Sequence, residues 1–183
     1  MKKILIFVLC ITMMLSIVGC SNKAEEQDLG SDDNPVAGKV MSEFTTKDIE
    51  GNEVTQEIFK DKKITMINVW GTFCGPCIEE MPDLQKIYEE YKGEDFNLIG
   101  LVADVELGND PKEATEVVNQ TGVKYKNILV NEVLNEEILS NFDYVPFTIF
   151  VNAEGKILDT MVAGSLSYEG YKSKIDTLLK NEK

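Results

Sequence analysis

Cys74 and Cys77 stand two residues apart, between an apolar run at residues 64–69 and a stretch with helical periodicity at residues 75–91. Two intervening residues in a first helical turn let the sulfurs close a disulfide. A helix N-terminus presents unpaired N–H groups and the positive end of the helix dipole, which stabilise a thiolate. The thiolate is the nucleophile of thiol–disulfide exchange, so this pair is predicted to carry redox chemistry.

A cysteine pair of this spacing also occurs in zinc sites and in structural disulfides. A structural zinc site commonly needs a second cysteine pair or a histidine pair, and the chain has neither, so no metal or other cofactor is expected. A purely structural disulfide stays possible in an oxidising compartment, although so small a loop constrains the unfolded chain least. The lack of histidine also excludes Ser-His-Asp and Cys-His nucleophiles.

Glu80 is the residue near the pair that could carry a proton. At about 100° per residue it lies about 60° from Cys77 and one turn along the helix. It falls on the apolar stripe between Ile87 and Tyr91, whereas Glu79 faces the opposite side. Desolvation there should raise the pKa of Glu80, so that it can exchange a proton with Cys77. The alternative is a glutamate at the edge of the stripe that reaches water.

Charge limits the partners of the chain. The formal net charge is −14, and all 18 basic residues are lysines. Such a surface repels phosphate backbones, so nucleic-acid binding is not expected.

The first 39 residues are predicted to contain a secretory signal and a membrane-anchoring linker. Two lysines precede an apolar stretch at residues 4–18, which is short for a membrane span and fits a secretory signal. The stretch ends at Gly19-Cys20, which resembles the lipobox of bacterial lipoproteins and implies that Cys20 carries lipid. Residues 1–19 are therefore predicted to be a signal peptide, with an uncleaved anchor as the alternative. Residues 20–39, polar and without periodicity, are predicted to hold the lipidated cysteine and a flexible linker.

Residues 40–183 are predicted to form one domain in which strands alternate with helices. Short strands flank a turn at residues 50–52, and a short helix follows at residues 55–60. Further strands are expected at residues 64–69, 96–103, 126–130, 147–151 and 157–162. Further helices are expected at residues 75–91, 111–120 (capped by Asp110), 134–141 and 168–179. This order predicts an α/β fold with a central mixed β-sheet flanked by helices.

Residues 70–77, Trp-Gly-Thr-Phe-Cys-Gly-Pro-Cys, followed by Glu80-Met81-Pro82, resemble the TlpA/ResA-like, membrane-tethered thiol-disulfide oxidoreductases of the thioredoxin superfamily. The resemblance covers roughly residues 40–180. It implies a thioredoxin-like fold with an inserted strand-helix element around residues 126–141. It also implies that Cys74 attacks the substrate, that Cys77 resolves the mixed disulfide, and that Glu80 serves proton transfer.

One position departs from cytoplasmic thioredoxins. They have a buried aspartate six residues before the first cysteine, where this chain has Asn68, which cannot take a proton. The departure makes Glu80 the candidate replacement.

A second constellation is Val145-Pro146, just before a predicted strand. X-Pro bonds are usually trans, but the resemblance implies a cis-proline that faces the cysteines and a preceding residue that offers its backbone to substrate. Val145 and Pro146 are therefore assigned to substrate binding.

The residues that flank the cysteines are assigned to the same surface: Trp70, Phe73, Gly75 and Pro76. For Trp70, packing against the sulfurs is the competing role.

The resulting prediction is an extracytoplasmic, lipid-anchored monomer that reduces protein disulfides, in cytochrome c maturation or in the repair of oxidised surface proteins. Its expected partners are disulfide-bearing client proteins and an integral-membrane electron donor similar to CcdA or DsbD. Three alternatives stay open: a disulfide oxidase, a thiol peroxidase with antioxidant activity, and a non-catalytic binding lipoprotein.

Overall fold

The computed structural model describes residues 33–182. Seven strands alternate with four α-helices and two 3-10 helices. The strands are β1 Thr45–Lys47, β2 Glu53–Thr55, β3 Ile64–Trp70, β4 Phe96–Glu106, β5 Lys126–Val130, β6 Phe147–Asn152 and β7 Ile157–Ala163. The α-helices are α1 Gly75–Glu90, α2 Lys112–Thr121, α3 Glu132–Glu137 and α4 Tyr168–Asn181, and the 3-10 helices are Gln56–Phe59 and Leu139–Asn141.

Five strands form one mixed sheet in the order β5-β4-β3-β6-β7. Strands β3, β4 and β5 are parallel, whereas β6 runs antiparallel to β3 and β7 antiparallel to β6. All seven residues of the central strand β3 are buried, as expected for a strand covered on both faces. The predicted thioredoxin-like α/β fold with a mixed central sheet is confirmed.

The alternation of side chains along β3 divides the core into two layers. On one face Met66 and Trp70 pack with residues of α1 and α4. On the other face Ile67 and Val69 pack with α3 and with apolar residues of the segment 36–44 that precedes β1. Asn68 lies between Ile67 and Val69, so its side chain enters the α1 and α4 layer, where an amide needs hydrogen-bond partners.

The inserted element adds an edge strand. β5 pairs in parallel with β4, and α3 and the second 3-10 helix follow it. The α-helix begins two residues earlier than predicted because Asn131 caps it, with Oδ1 accepting from the Leu134 N–H at 2.8 Å. It stops at Glu137, and a 3-10 turn completes the predicted helical stretch.

Two further boundaries differ from the prediction. β4 continues past Ala103 to Glu106, with an irregular register after Val102. The cap of α2 is Pro111, while Asp110 accepts from the Lys112 N–H at 3.1 Å.

The packed domain begins before residue 40. Val36 is fully buried, and Asn34 Nδ2 donates to the Leu158 carbonyl at 2.8 Å. The Gly38 N–H donates to the Ile157 carbonyl at 2.9 Å. The last residues of the predicted linker therefore pack on β7.

The predicted signal peptide and Cys20 lie outside the described residues. Within residues 33–182, no helix is both long enough and apolar enough to cross a bilayer.

Candidate active site

A disulfide joins Cys74 and Cys77 at the start of α1. Cys74 is the N-cap residue, and its Sγ accepts from the Cys77 N–H at 3.3 Å. Pro76 occupies the first turn, where a missing N–H leaves no helical hydrogen bond unmade. Cys74 is 6% exposed and Cys77 is completely buried. This difference leaves Cys74 as the sulfur nearer to the solvent.

The Val145-Pro146 peptide bond is cis, as predicted. It directly precedes β6, and the Val145 carbonyl oxygen lies 3.7 Å from Cys74 Sγ. The Pro146 carbonyl accepts from the Gly164 N–H at 3.0 Å and so fixes this loop to the end of β7. Residues 71 positions apart in the chain are thereby brought together at the sulfur.

Trp70 is fully buried, which fits the packing role rather than contact with a substrate. Its Nε1 donates to Asn127 Oδ1 at 2.9 Å. Gly100 on β4 makes room for this pair, because a Cβ there would lie 2.0 Å from Asn127 Oδ1. Asn127 was not among the predicted site residues, and a lone asparagine on an edge strand offers no sequence signal.

An aromatic groove adjoins the disulfide. It encloses about 530 Å³ and extends from Phe73 to the loop before β6. Phe73 is 75% and Tyr144 is 45% exposed, while the Phe142 ring stacks on Phe147 with centroids 3.8 Å apart. Gly75 and Pro76 are exposed on the helix start. Of the predicted surface residues, Phe73 and Val145 line this groove. Val145 is partly buried, and its carbonyl oxygen faces Cys74 Sγ.

Beneath the disulfide, Glu80 accepts hydrogen bonds from side chains of two other elements. The residue is 5% exposed. Asn68 Nδ2 on β3 donates to Oε1 at 2.9 Å, and the Tyr171 hydroxyl on α4 donates to Oε2 at 2.7 Å. Thr148 on β6 accepts from Asn68 Nδ2 at 3.2 Å. We call Asn68, Glu80, Thr148 and Tyr171 the Glu80 network.

Burial raises the pKa of Glu80 to about 7, from an ordinary 4.5. Hydrogen bonds from Tyr171, Asn68 and the Leu166 backbone act in the opposite direction, because they stabilise the carboxylate. The predicted rise by desolvation is confirmed, and the alternative of an edge glutamate reaching water is wrong. A carboxyl with a pKa near neutrality can both accept and return a proton at physiological pH.

The sequence pointed to Asn68 only as a residue unable to carry a proton. In the structure it is a hydrogen-bond donor to Glu80. Tyr171 and Thr148 were missed altogether. Thr148 could have been suspected as a polar residue in an apolar strand, whereas Tyr171 resembles any other aromatic residue on the buried stripe of a helix.

Comparisons with known proteins identify the family of this chain. Residues 36–179 match the profile of the Redoxin family. The thiol-disulfide oxidoreductase ResA of Halalkalibacterium halodurans is 30% identical over 129 residues, covering 70% of this chain and 69% of that protein. A protein of Arabidopsis thaliana named as a mitochondrial phospholipid hydroperoxide glutathione peroxidase is 27% identical over 116 residues, covering 63% of this chain and 48% of that one.

Among solved structures, the thioredoxin domain of a thiol-disulfide oxidoreductase from Bacteroides vulgatus superposes with a TM-score of 0.61. It is 23% identical and covers 78% of this chain and 97% of that domain, a likeness that supports the fold alone. With the Redoxin match, the ResA relative and a disulfide at the start of α1, the chain belongs to the Redoxin family, as a ResA-like thiol-disulfide oxidoreductase of the thioredoxin superfamily.

Proposed function

We propose that this oxidoreductase reduces disulfides in extracytoplasmic proteins while tethered to the membrane by a lipid on Cys20. The observation that carries the chemistry is the layered arrangement of three groups. Cys74 is the outer sulfur beside the Val145 carbonyl, Cys77 is fully buried behind it, and Glu80 is buried one helical turn further.

The first step is attack by the Cys74 thiolate on a client disulfide. One Cys74–client S–S bond forms, the client disulfide breaks, and its other sulfur leaves as a thiolate that takes a proton from solvent. The Cys77 N–H, 3.3 Å from Cys74 Sγ in the disulfide form, supports the thiolate together with the helix dipole.

The second step is resolution by Cys77. Ionised Glu80 accepts the Cys77 proton, and the Cys77 thiolate attacks Cys74 Sγ. The Cys74–client bond breaks, and the departing client thiolate takes a proton, which neutral Glu80 supplies directly or through solvent. Two electrons have then passed from the enzyme dithiol to the client disulfide.

The aromatic groove and the loop at Val145 supply the binding surface for the client. An extended client segment can pair with the backbone of Val145 beside the cis-proline, in the manner of strand addition. The exposed rings of Phe73 and Tyr144 offer apolar contacts on either side. Gly75 lacks a side chain and so leaves room for a client sulfur to approach Cys74.

Reduction is favoured over oxidation by the Cys-Gly-Pro-Cys sequence. Thioredoxin, which shares it, has a potential near −270 mV, whereas a strong oxidant such as DsbA lies near −120 mV. Continuous reduction requires an electron donor, for which we propose a membrane protein similar to CcdA or DsbD. Apocytochromes c and oxidised surface proteins are the proposed clients.

The reduction potential of the Cys74–Cys77 couple tests the direction. The full-length protein is equilibrated with dithiothreitol or glutathione buffers, and the fraction of disulfide is measured by thiol alkylation and mass spectrometry. A potential near or below that of thioredoxin supports a reductase, and a value near −120 mV would make the protein an oxidant. A Cys77→Ser variant should accumulate the mixed disulfide, with Cys74→Ser as its matched negative control.

The lipid anchor is tested separately. Expression in a bacterial host with labelled fatty acid should place label on the wild-type chain and leave a Cys20→Ser variant unlabelled. Equal labelling of both chains would contradict the proposed attachment.

A second candidate function is thiol-dependent peroxide reduction, favoured by the Arabidopsis relative. In that reaction the Cys74 thiolate would attack the peroxide, breaking its O–O bond to give a Cys74 sulfenic acid and releasing an alcohol or water. The Cys77 thiol would then condense with the sulfenic acid to form the disulfide, releasing water. The chain contains no arginine to support a peroxidatic thiolate. Peroxide consumption by the reduced protein at a rate well above that of free dithiothreitol would favour this function.

A further inference from the structure

Tyr171 connects the last helix to the buried carboxyl of the active site. Its hydroxyl donates to Glu80 Oε2 at 2.7 Å and lies 3.5 Å from Thr148 Oγ1. Both Tyr171 and Thr148 are completely buried. Tyr171 follows Glu80 by 91 positions, so the contact depends on the packing of α4 against α1.

Both hydroxyls can reverse their hydrogen bonds. When Glu80 is ionised, Tyr171 donates to the carboxylate and can accept from Thr148. When Glu80 is protonated, the carboxyl can donate to Tyr171, which then donates to Thr148. Either atom of the Tyr171–Thr148 pair can be the donor, and a hydroxyl both donates and accepts. The pair therefore offers partners to both protonation states of Glu80.

We propose that Tyr171 is a positioning residue for the resolving step, which holds the Glu80 carboxyl and reverses its hydrogen bond as Glu80 accepts and returns the Cys77 proton. The inference rests on the proposed function, in which Glu80 serves Cys77. Tyr171 itself keeps its proton, because burial and the adjacent Glu80 raise the pKa of Tyr171 well above its ordinary value.

Few other groups act on the Glu80 carboxyl. On its own helix, Cys77 is titratable once the disulfide is reduced. From β3 and β6 come only the uncharged Asn68 and Thr148. Tyr125, from the segment before β5, interacts electrostatically with Glu80, and burial keeps Tyr125 neutral by raising its pKa. Because these neighbours are neutral, a change in the pKa of Glu80 in a Tyr171 variant can be attributed to the lost or altered hydrogen bond.

The test measures the pKa of Glu80 in the oxidised full-length protein, by NMR with 13C-labelled glutamate carboxyls. The signal that disappears in Glu80→Gln identifies the residue. In Tyr171→Phe the pKa of Glu80 should rise by about one unit, because a hydrogen bond to a charged acceptor stabilises more than one to a neutral acceptor. Tyr168→Phe is the matched control, since it removes a hydroxyl of the same helix that bonds Glu90 at the surface.

A second variant changes the strength of the Tyr171 hydrogen bond and keeps the packing of the ring. Site-specific 3-fluorotyrosine at position 171 is a stronger donor of nearly the same shape, so the pKa of Glu80 should fall. The pH profile of client reduction should shift in the same direction as the NMR value in both variants. A merely structural role for Tyr171 would change melting temperature without moving either quantity.

Different results would reject the role of Tyr171 and the proposed reductase function. An unchanged Glu80 pKa in both Tyr171 variants would overturn the role of Tyr171, while normal client reduction would leave the proposed function standing. Absence of client reduction in the wild type would reject the proposed function, while shifted NMR values would still establish the hydrogen bond.

Discussion

Replacing Glu80 by glutamine removes a buried ionisable group and keeps its shape. The amide can be accommodated by the Glu80 network. Its oxygen can accept from Asn68, and its NH₂ group can donate to the Tyr171 hydroxyl, which then donates to Thr148. The variant should therefore fold like the wild type and differ mainly in how its stability depends on pH.

The magnitude follows from the pKa of Glu80. Its value is about 7 in the folded protein and 4.5 in the absence of burial. The native state thus binds the proton more tightly than the unfolded chain, so the wild type loses stability as pH rises through this interval. A difference of about 2.5 units, at about 1.36 kcal/mol per unit, amounts to a loss of about 3 kcal/mol. Glutamine has no proton to lose, so Glu80→Gln should escape this loss.

The assay is urea unfolding of the oxidised proteins at intervals from pH 4 to pH 8. The free energy of unfolding of Glu80→Gln minus that of the wild type should increase by about 3 kcal/mol across the series. Glu79→Gln is the matched control, because Glu79 is exposed on the same helix. A difference that stays level over this range would refute the inference that Glu80 is buried with a raised pKa. A slope equal to that of Glu79→Gln would attribute the effect to net charge instead.

Three further variants probe the surroundings of the site. In Gly100→Ala the new Cβ would lie 2.0 Å from Asn127 Oδ1. The variant should therefore lower the free energy of unfolding by about 1–3 kcal/mol and alter Trp70 fluorescence. An unchanged urea midpoint would contradict this. Phe73→Ser should change stability by less than about 0.5 kcal/mol, since the ring is 75% exposed, but should raise KM for a protein disulfide several-fold and leave reduction by dithiothreitol unchanged. Burial raises the pKa of Asp48, but hydrogen bonds from Lys126 and Asn52 together have the larger effect and hold that pKa below its usual value. Asp48→Asn should therefore lose about 1–3 kcal/mol at pH 7, and the difference in urea stability should vanish as acid protonates the wild-type carboxyl.

The chemistry of the cysteine pair could be predicted from local sequence because it depends on local geometry. A strand that runs into a helix, a cysteine at the cap and a proline in the first turn are properties of adjacent residues. The burial of Glu80 could also be predicted, since helical periodicity fixes which side of α1 faces the sheet. The order of strands and helices could be predicted because strands and helices differ in hydrophobic periodicity and are bounded by characteristic residues.

The cis-proline followed from the family resemblance, because its trans alternative is the usual state of an isolated X-Pro bond. Local sequence does not indicate which loop approaches a sulfur 71 residues away. The strand order β5-β4-β3-β6-β7 settles this. It places β6 beside β3, so that the loop before β6 ends at the start of α1.

The partners of Glu80 were decided by tertiary structure alone. Tyr171 and Thr148 come from α4 and β6, and no pattern within either element distinguishes a residue that bonds a buried carboxyl from one that only packs. Asn127 and Gly100 show the same limit, because their fit around Trp70 arises only when β4 and β5 lie side by side. Local sequence was enough to predict which two sulfurs form the disulfide, since the geometry of one strand end and one helical turn is short-range. Tertiary packing determined which atoms surround them and how tightly Glu80 holds its proton, since desolvation and these hydrogen bonds join distant parts of the chain.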